Sequence, residues 1–406
     1  MKKVFVIGGG AAGMMAALSA AMTGKKVNLF EKNNVLGKKL LVTGHGRCNV
    51  TNFMDMESFF ENIPGNSKFL YSAFNQFSNR DLIEFLEKNG LKLKVERGMR
   101  VFPVTDRASD VRDFFKNMLE KNNVKIFYNS KVEEILTKDN RVIGIRVGDE
   151  FLSCDSVILA TGGLSYPSTG STGDGYEMAR KVGHTIVKPF PALVPIVTRE
   201  NVRELMGVSL KNVKVSAIQG GKLIKEEFGE MLFTHFGLSG PVILTLSRFI
   251  YQYLEKGNVV IRIDLKPALA EERLEARILR DFSKYINKDI KNALKDLLPQ
   301  NLILYILKRA FIDPHKKVRE ITKRERKSLI AVLKGLTFEV SELRPIREAI
   351  VTGGGVSVKE INPSTMESKM VRGLFFAGEV IDVDGLTGGF NLQIAFSTGY
   401  VAGINA

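Results

Sequence analysis

The chain has 406 residues, enough for more than one domain, and its 44% hydrophobic and 25% charged content is that of a globular protein rather than a disordered or fibrous one. Two cysteines, Cys48 and Cys154, lie far apart and form no C-x-x-C pair, which excludes a disulfide framework and makes a reducing cytoplasm the expected location. The formal net charge is +15, and Lys266 to Lys334 holds 18 Lys/Arg against 9 Asp/Glu; such a surplus can mark an anionic partner but is also what a solvated helical face carries.

The first element is a short β-type run, Val4 to Ile7, followed by Gly8, Gly10 and Gly13 at G-x-G-x-x-G spacing. A small-residue helical segment and a second apolar run, Val27 to Phe30, ending in Glu31, complete a dinucleotide-binding βαβ pattern. Gly8 permits the tight turn, Gly10 close approach of a pyrophosphate, and Gly13 close packing of helix on strand. Glu31 stands at the distance expected to accept from an adenosine ribose. The same stretch could be read as a secretory signal or a single membrane span. Four glycines would weaken either helix, and neither reading explains a following strand that ends in an acid.

Gly37 to Asn52 is rich in glycine and hydrogen-bonding side chains. Lys38, Lys39 and Arg47 could offset phosphate charge there, and Gly44 permits close backbone approach. Cys48 lacks the second cysteine that dithiol chemistry needs. Asp55 to Asn123 reads as mixed helix and short strand, and Lys125 to Tyr128 as a strand leading to Val132, where a backbone group could meet adenine. Arg141 to Val147 and Phe151 to Cys154 suggest a β-meander. A buried strand from Val157 then ends in Thr161, Gly162 and Gly163, before a Pro/Gly loop that carries Tyr166.

Pro189, Pro191 and Pro195 suggest a crossing into a second domain. Val194 to Asp264 reads as short β runs, interrupted by a compact turn at His235 to Pro241. From Ala268 to Leu336 the apolar period becomes helical. Neither section contains a second G-x-G-x-x-G after a strand, so a dedicated nicotinamide domain is not expected. Thr352 to Val356 reads as a glycine turn. A strand at Gly373 to Phe376 runs into Gly378 and Glu379, and Gly389, Phe390, Asn391 and Leu392 lead into a final helix whose N-terminus builds an anion site.

With these residues placed, the sequence resembles a family of three-domain bacterial FAD-dependent oxidoreductases of the BaiN-like and aminoacetone oxidase-like type. The motifs that carry the likeness are GGGAAG at Gly8 to Gly13, GKKLLVTGHGRCNVTN at Gly37 to Asn52, ATGGLSYPSTGSTGDGY at Ala160 to Tyr176, FGLSGP at Phe236 to Pro241, and FAGEVIDVDGLTGGFNLQIA at Phe376 to Ala395. The resemblance implies an α/β, Rossmann-like FAD-binding domain of the two-dinucleotide-binding flavoprotein type, formed by residues 1–190 and 345–406. It implies an inserted β-barrel domain at 191–265 with 336–344, and an inserted helical domain at 266–335. Ala12, Lys32, Cys48, Asn49, Thr161, Gly162 and Gly378 join the residues above as the expected FAD contacts, with Glu379 on a ribitol hydroxyl and the Gly389 to Leu392 helix start at the flavin.

The expected function is transfer of hydride equivalents through flavin N5 to or from a small organic substrate, with NADH or NADPH as a transient donor. His45, Tyr166 and His235 are the candidates for proton transfer, and no metal is expected. The alternatives are an amine-type oxidase using oxygen, a tRNA-modifying flavoenzyme, a non-catalytic flavin-binding protein, and a plain NAD-dependent dehydrogenase. A small molecule is the expected partner, nucleic acid and membrane are not, and the oligomeric state is left open.

Overall fold

The computed structural model describes residues Met1–Ala406. The chain divides into two compact units, Met1–Ala192 with Ile346–Ala406, and Leu193–Pro345.

The first unit is built on five parallel strands: β1 (Lys3–Ile7), β2 (Lys26–Phe30), β3 (Lys125–Phe127), β4 (Ser156–Leu159) and β5 (Leu374–Phe376), in the order β5-β4-β1-β2-β3. The central strands are continuous apolar runs because both faces are covered; Val4, Phe5, Val6, Val157, Ile158 and Leu159 are all buried. Helix α1 (Ala11–Met22) lies against the C-terminal helix α2 (Phe390–Asn405). Small residues make that approach possible. A Cβ on Gly399 would stand 2.4 Å from Ala12 O, and one on Gly403 2.0 Å from Ser19 Oγ. The Lys25 ammonium caps the far end of α2, donating to Gly403 O and Ile404 O at 2.9 and 2.8 Å.

The glycine run at 352–356 is not a turn. Val351–Val356 is a buried strand, antiparallel to Ile186–Ala192. The glycines serve proximity: a Cβ on Gly353 would stand 2.2 Å from the Phe190 ring, and one on Gly355 2.7 Å from Val380 O.

At the start of the partner strand His184 is buried, its Nδ1 3.2 Å from Glu360 Oε2 and its Nε2 2.9 Å from Ser368 Oγ. Burial holds its pKa below the usual 6.5, against the opposing pull of Glu360. The folded state thus favours neutral imidazole. The resulting stabilisation is complete above the unfolded value near 6.5 and is lost as pH falls through the lower folded value. Urea midpoints are expected to drop between about pH 7.5 and about pH 5.5, and to drop less in His184→Gln; equal drops would remove His184 from the acid response.

The second unit holds a closed six-stranded barrel in the order Ile196–Thr198, Gly237–Ser239, Lys222–Phe233, Ser209–Gln219, Val259–Asp264, Leu336–Leu343. The expected β runs are interrupted by a helix, Pro241–Leu254. Its β-branched and aromatic residues read as strand, but Pro241 at its first turn and an apolar face of Val242, Ile243, Leu246 and Ile250 decide for helix. Helices Glu271–Lys284, Gln300–Arg309 and Lys323–Lys334 follow. Their buried residues share one core with the barrel, and Tyr305 stacks on Phe338 with ring centroids 6.1 Å apart. No helix of the chain is long and apolar enough to cross a membrane.

Candidate functional site

Parallel pairing places the carboxyl ends of β1, β2, β4 and β5 on one edge of the sheet. Chain segments leaving β1 go one way and those leaving β4 the other, which is the switch-point geometry of open α/β sheets. Gly8, Glu31, Thr161 and Gly378 each lie just past one of these ends.

Gly8 takes φ +101°, and a Cβ there would stand 2.5 Å from Ala160 O. Gly13 brings α1 onto the turn so closely that its Cβ would lie 1.8 Å from Gly8 O. Gly10 is different: it caps α1 in extended conformation, and a Cβ would meet nothing within 4 Å. The open space at Gly10 lies at the positive end of the helix. Ala12 is buried beneath it, against Gly378. Glu31 is fixed by Gly9 N–H on Oε2 and by the Asn33 N–H and amide on Oε1, at 2.8, 2.8 and 2.7 Å. Val132 is buried beyond β3.

The loop after β2 turns through left-handed residues at Gly44, His45, Gly46 and Cys48. Its cations have local partners. Arg47 pairs with Glu96 and Asp106 and lies 4.2 Å from the Phe102 ring centroid. Lys32 Nζ stands 2.6 Å from Asp174 Oδ2, and exposed Lys38 reaches Asn33 Oδ1 at 3.5 Å. Burial pushes the Cys48 thiol up to about 12, with only the Thr43 hydrogen bond opposing, so Cys48 stays protonated at neutral pH and is no thiolate nucleophile.

Glu379 sits at the centre of a polar cluster assembled from four segments. Lys39 Nζ lies 2.6 Å from Oε2, while Ser165 Oγ and Thr352 N–H donate to Oε1, each at 2.8 Å. Burial alone would raise its pKa; Lys39, Thr352 and Ser165 outweigh that and hold the carboxyl below its ordinary range. Thr352 Oγ1 also accepts from Leu164 and Ser165 N–H. Sequence reasoning missed Thr352, because its glycine run was read as a turn, and Ser165, because Tyr166 was the residue singled out in its loop.

Helix α2 is capped by Gly389, whose φ of +101° and approach to Thr51 O (2.4 Å from a Cβ) admit only glycine. Asn391 holds the preceding loop through Gly385 N–H, Gly385 O and Leu386 O. Phe390 packs edge-on against Phe59. First-turn N–H groups, Leu392 included, have no acceptor within the helix.

Two buried polar atoms on these segments, Asn49 Oδ1 and Thr161 Oγ1, have no hydrogen-bond partner. Buried polar groups are normally satisfied, so both suit a polar ligand. With the open space at Gly10 and two helix N-termini on the same unit, the residues fit an adenine dinucleotide. His45 and Tyr166 are exposed on this unit, Tyr166 in left-handed conformation at φ +51°. His235 belongs to the second unit, exposed, with its ring edge-on to Phe236.

The HI0933-like protein Rossmann domain family matches residues 2–405. The chain is 32% identical to the 3-dehydro-bile acid Δ(4,6)-reductase of Clostridium scindens, over 99% of this chain and 98% of that protein. It is also 32% identical to a ribosomal RNA dihydrouridine synthase of Haemophilus influenzae, over 98% and 97%. Among solved structures, a 3-ketosteroid-Δ4-(5α)-dehydrogenase from Rhodococcus jostii aligns over all of this chain and 96% of its own, with TM-score 0.53 and 16% identity, a likeness of fold.

Proposed function

The chain belongs to the HI0933-like family and is an FAD-dependent oxidoreductase, and from that premise we propose that it saturates a carbon–carbon double bond conjugated to a carbonyl, with NADH or NADPH as electron source. One observation carries the reaction class. Two relatives of equal identity are named for reductions that share this chemistry. A 3-oxo steroid with ring double bonds and a uracil with its ring double bond both present an alkene polarised by a carbonyl.

Bound FAD would supply a hydride from N5 to the carbon remote from the carbonyl, and would regain it from the nicotinamide donor. The protein's own groups do the rest. Gly10 and the α1 N-terminus would hold the pyrophosphate and Glu31 the adenosine ribose, with a backbone group of Val132 meeting the adenine and Lys32 among the FAD contacts. Asn49 and Thr161 would take up hydrogen bonds they otherwise lack, and Glu379 would accept from ribitol. The N–H groups of Phe390 to Leu392 would offer hydrogen bonds to the flavin edge where negative charge develops. A proton for the carbon next to the carbonyl comes from an acid on the protein, with His45, Tyr166 and His235 as candidates.

The surplus of positive charge from Lys266 to Lys334 favours a second, narrower reading in which the alkene is that of uracil within RNA. Anaerobic addition of NADH or NADPH is expected to bleach the yellow protein, and an enone steroid or a uridine-containing transcript is expected to restore the colour while gaining two hydrogens. Yellow colour that persists with both donors would sink the reductase reading and turn attention to donors that reduce the flavin directly.

A further inference from the structure

Phe311 is out of place by two measures. It is the residue just past helix Gln300–Arg309 and its cap Ala310, where Phe311 N–H donates to Lys308 O and Ile312 N–H to Leu307 O at 3.2 and 3.0 Å. This paired closure puts the residue after the cap in the left-handed region, and Phe311 has φ +58°, at the position where glycine is the usual choice. Its ring gains nothing in return, being 91% exposed. Neither backbone geometry nor core packing accounts for phenylalanine here.

Phe311 lines an open cleft of about 590 Å³, together with Leu304, Lys291, Lys308, His315 and Glu204. Leu304 is half exposed and Lys308 exposed, while Lys291 Nζ lies 3.2 Å from His315 Nδ1. An exposed aromatic face set among cations is the combination that holds single-stranded nucleic acid, by stacking a base and neutralising its phosphates. We propose that this cleft is a docking site for a single-stranded segment of RNA, with a base stacked on Phe311 and phosphates on Lys291 and Lys308. The proposal rests on the RNA reading of the substrate, and it commits to RNA on charge complementarity within the section that carries the surplus.

The test uses the FAD-loaded protein and a fluorescent single-stranded oligouridylate, with polyphosphate as competitor. Phe311→Gly is expected to weaken binding by about fivefold to a hundredfold. Its thermal midpoint should stay level or rise, because glycine suits the left-handed position. Lys291→Gln with Lys308→Gln is expected to flatten the slope of log affinity against log salt by about 1.4. Unchanged binding in Phe311→Gly, displacement by polyphosphate as readily as by RNA, no binding by the wild type, or a fall of many degrees in Phe311→Gly would each overturn the site. Dihydrouridine formed in RNA by Phe311→Gly at the wild-type rate and affinity would leave the RNA reading standing and remove this site. Phe311-dependent binding with no dihydrouridine formed would keep the site and remove the reading.

Discussion

Gly13→Ala is expected to yield a protein that neither retains FAD nor reaches wild-type stability, whereas Gly10→Ala should fold normally and lose only the cofactor. At Gly13 the added methyl would stand 1.8 Å from Gly8 O. Backbone cannot rotate away as a side chain can, so α1 must lift from β1. Gly399 and Gly403 hold α2 against the same helix, so that movement would also disturb the closest helix pair of the unit. Overpacking of this kind costs roughly 3 kcal/mol or more. At Gly10 the methyl meets no protein atom within 4 Å, and the backbone is at φ −78°, which any residue adopts. Its cost to the apoprotein is then at most about 1 kcal/mol. The space it fills is the one proposed for the pyrophosphate, so FAD affinity should fall by about tenfold to a hundredfold, or roughly 1.4–2.7 kcal/mol. Flavin absorbance after dialysis and urea unfolding of the apoproteins separate the two. Equal FAD retention in Gly10→Ala and wild type would show that the pyrophosphate lies elsewhere.

The contrast between these glycines marks what the sequence makes legible. Gly8, Gly13 and Glu31 belong to one contiguous βαβ unit, whose strand, turn and helix can be read from spacing, while the other three strands of the sheet come from distant parts of the chain. Two segments resisted for opposite reasons. Gly353 and Gly355 carry a turn signal in sequence, yet they are glycine because Phe190 and Val380 press on a strand, a fact that pairing partners alone reveal. Helix Pro241–Leu254 is full of β-formers, and tertiary burial of Leu246 and Ile250 overrides their preference. The Glu379 cluster lies further still from sequence view: Lys39 is 340 residues away from its partner. Phe311 shows the limit most clearly, since only a three-dimensional structure tells an exposed, left-handed aromatic from a core one.

Lys39→Met is expected to destabilise the apoprotein more than Glu379→Gln, although the two remove the same ion pair. The side chains of Lys39 and Glu379 are 23% and 19% exposed. An ammonium left alone on its flexible stem can swing toward water. The Glu379 carboxylate cannot, because Ser165 Oγ and Thr352 N–H hold Oε1 in place. Without Lys39, burial becomes the dominant influence on Glu379, and its pKa should move up from its present lowered position. Breaking a pair by removing its cation costs about 3–5 kcal/mol when burial is complete; residual exposure here argues for about 2–3 kcal/mol. Glu379→Gln should cost about 1 kcal/mol, the value of a charged hydrogen bond exchanged for a neutral one. In the double variant the glutamine no longer needs a counter-charge, so much of the Lys39→Met loss should return, with a coupling above about 1 kcal/mol. The pH response follows the same logic. In the wild type the lowered Glu379 pKa contributes stability that is fully present above the unfolded value of 4.5 and is lost as pH falls through the folded one. In Lys39→Met the shift reverses, and lowering pH toward the unfolded value should narrow the deficit instead of leaving it constant. Additive losses in the double variant, or a deficit independent of pH, would show that Lys39 acts through packing alone.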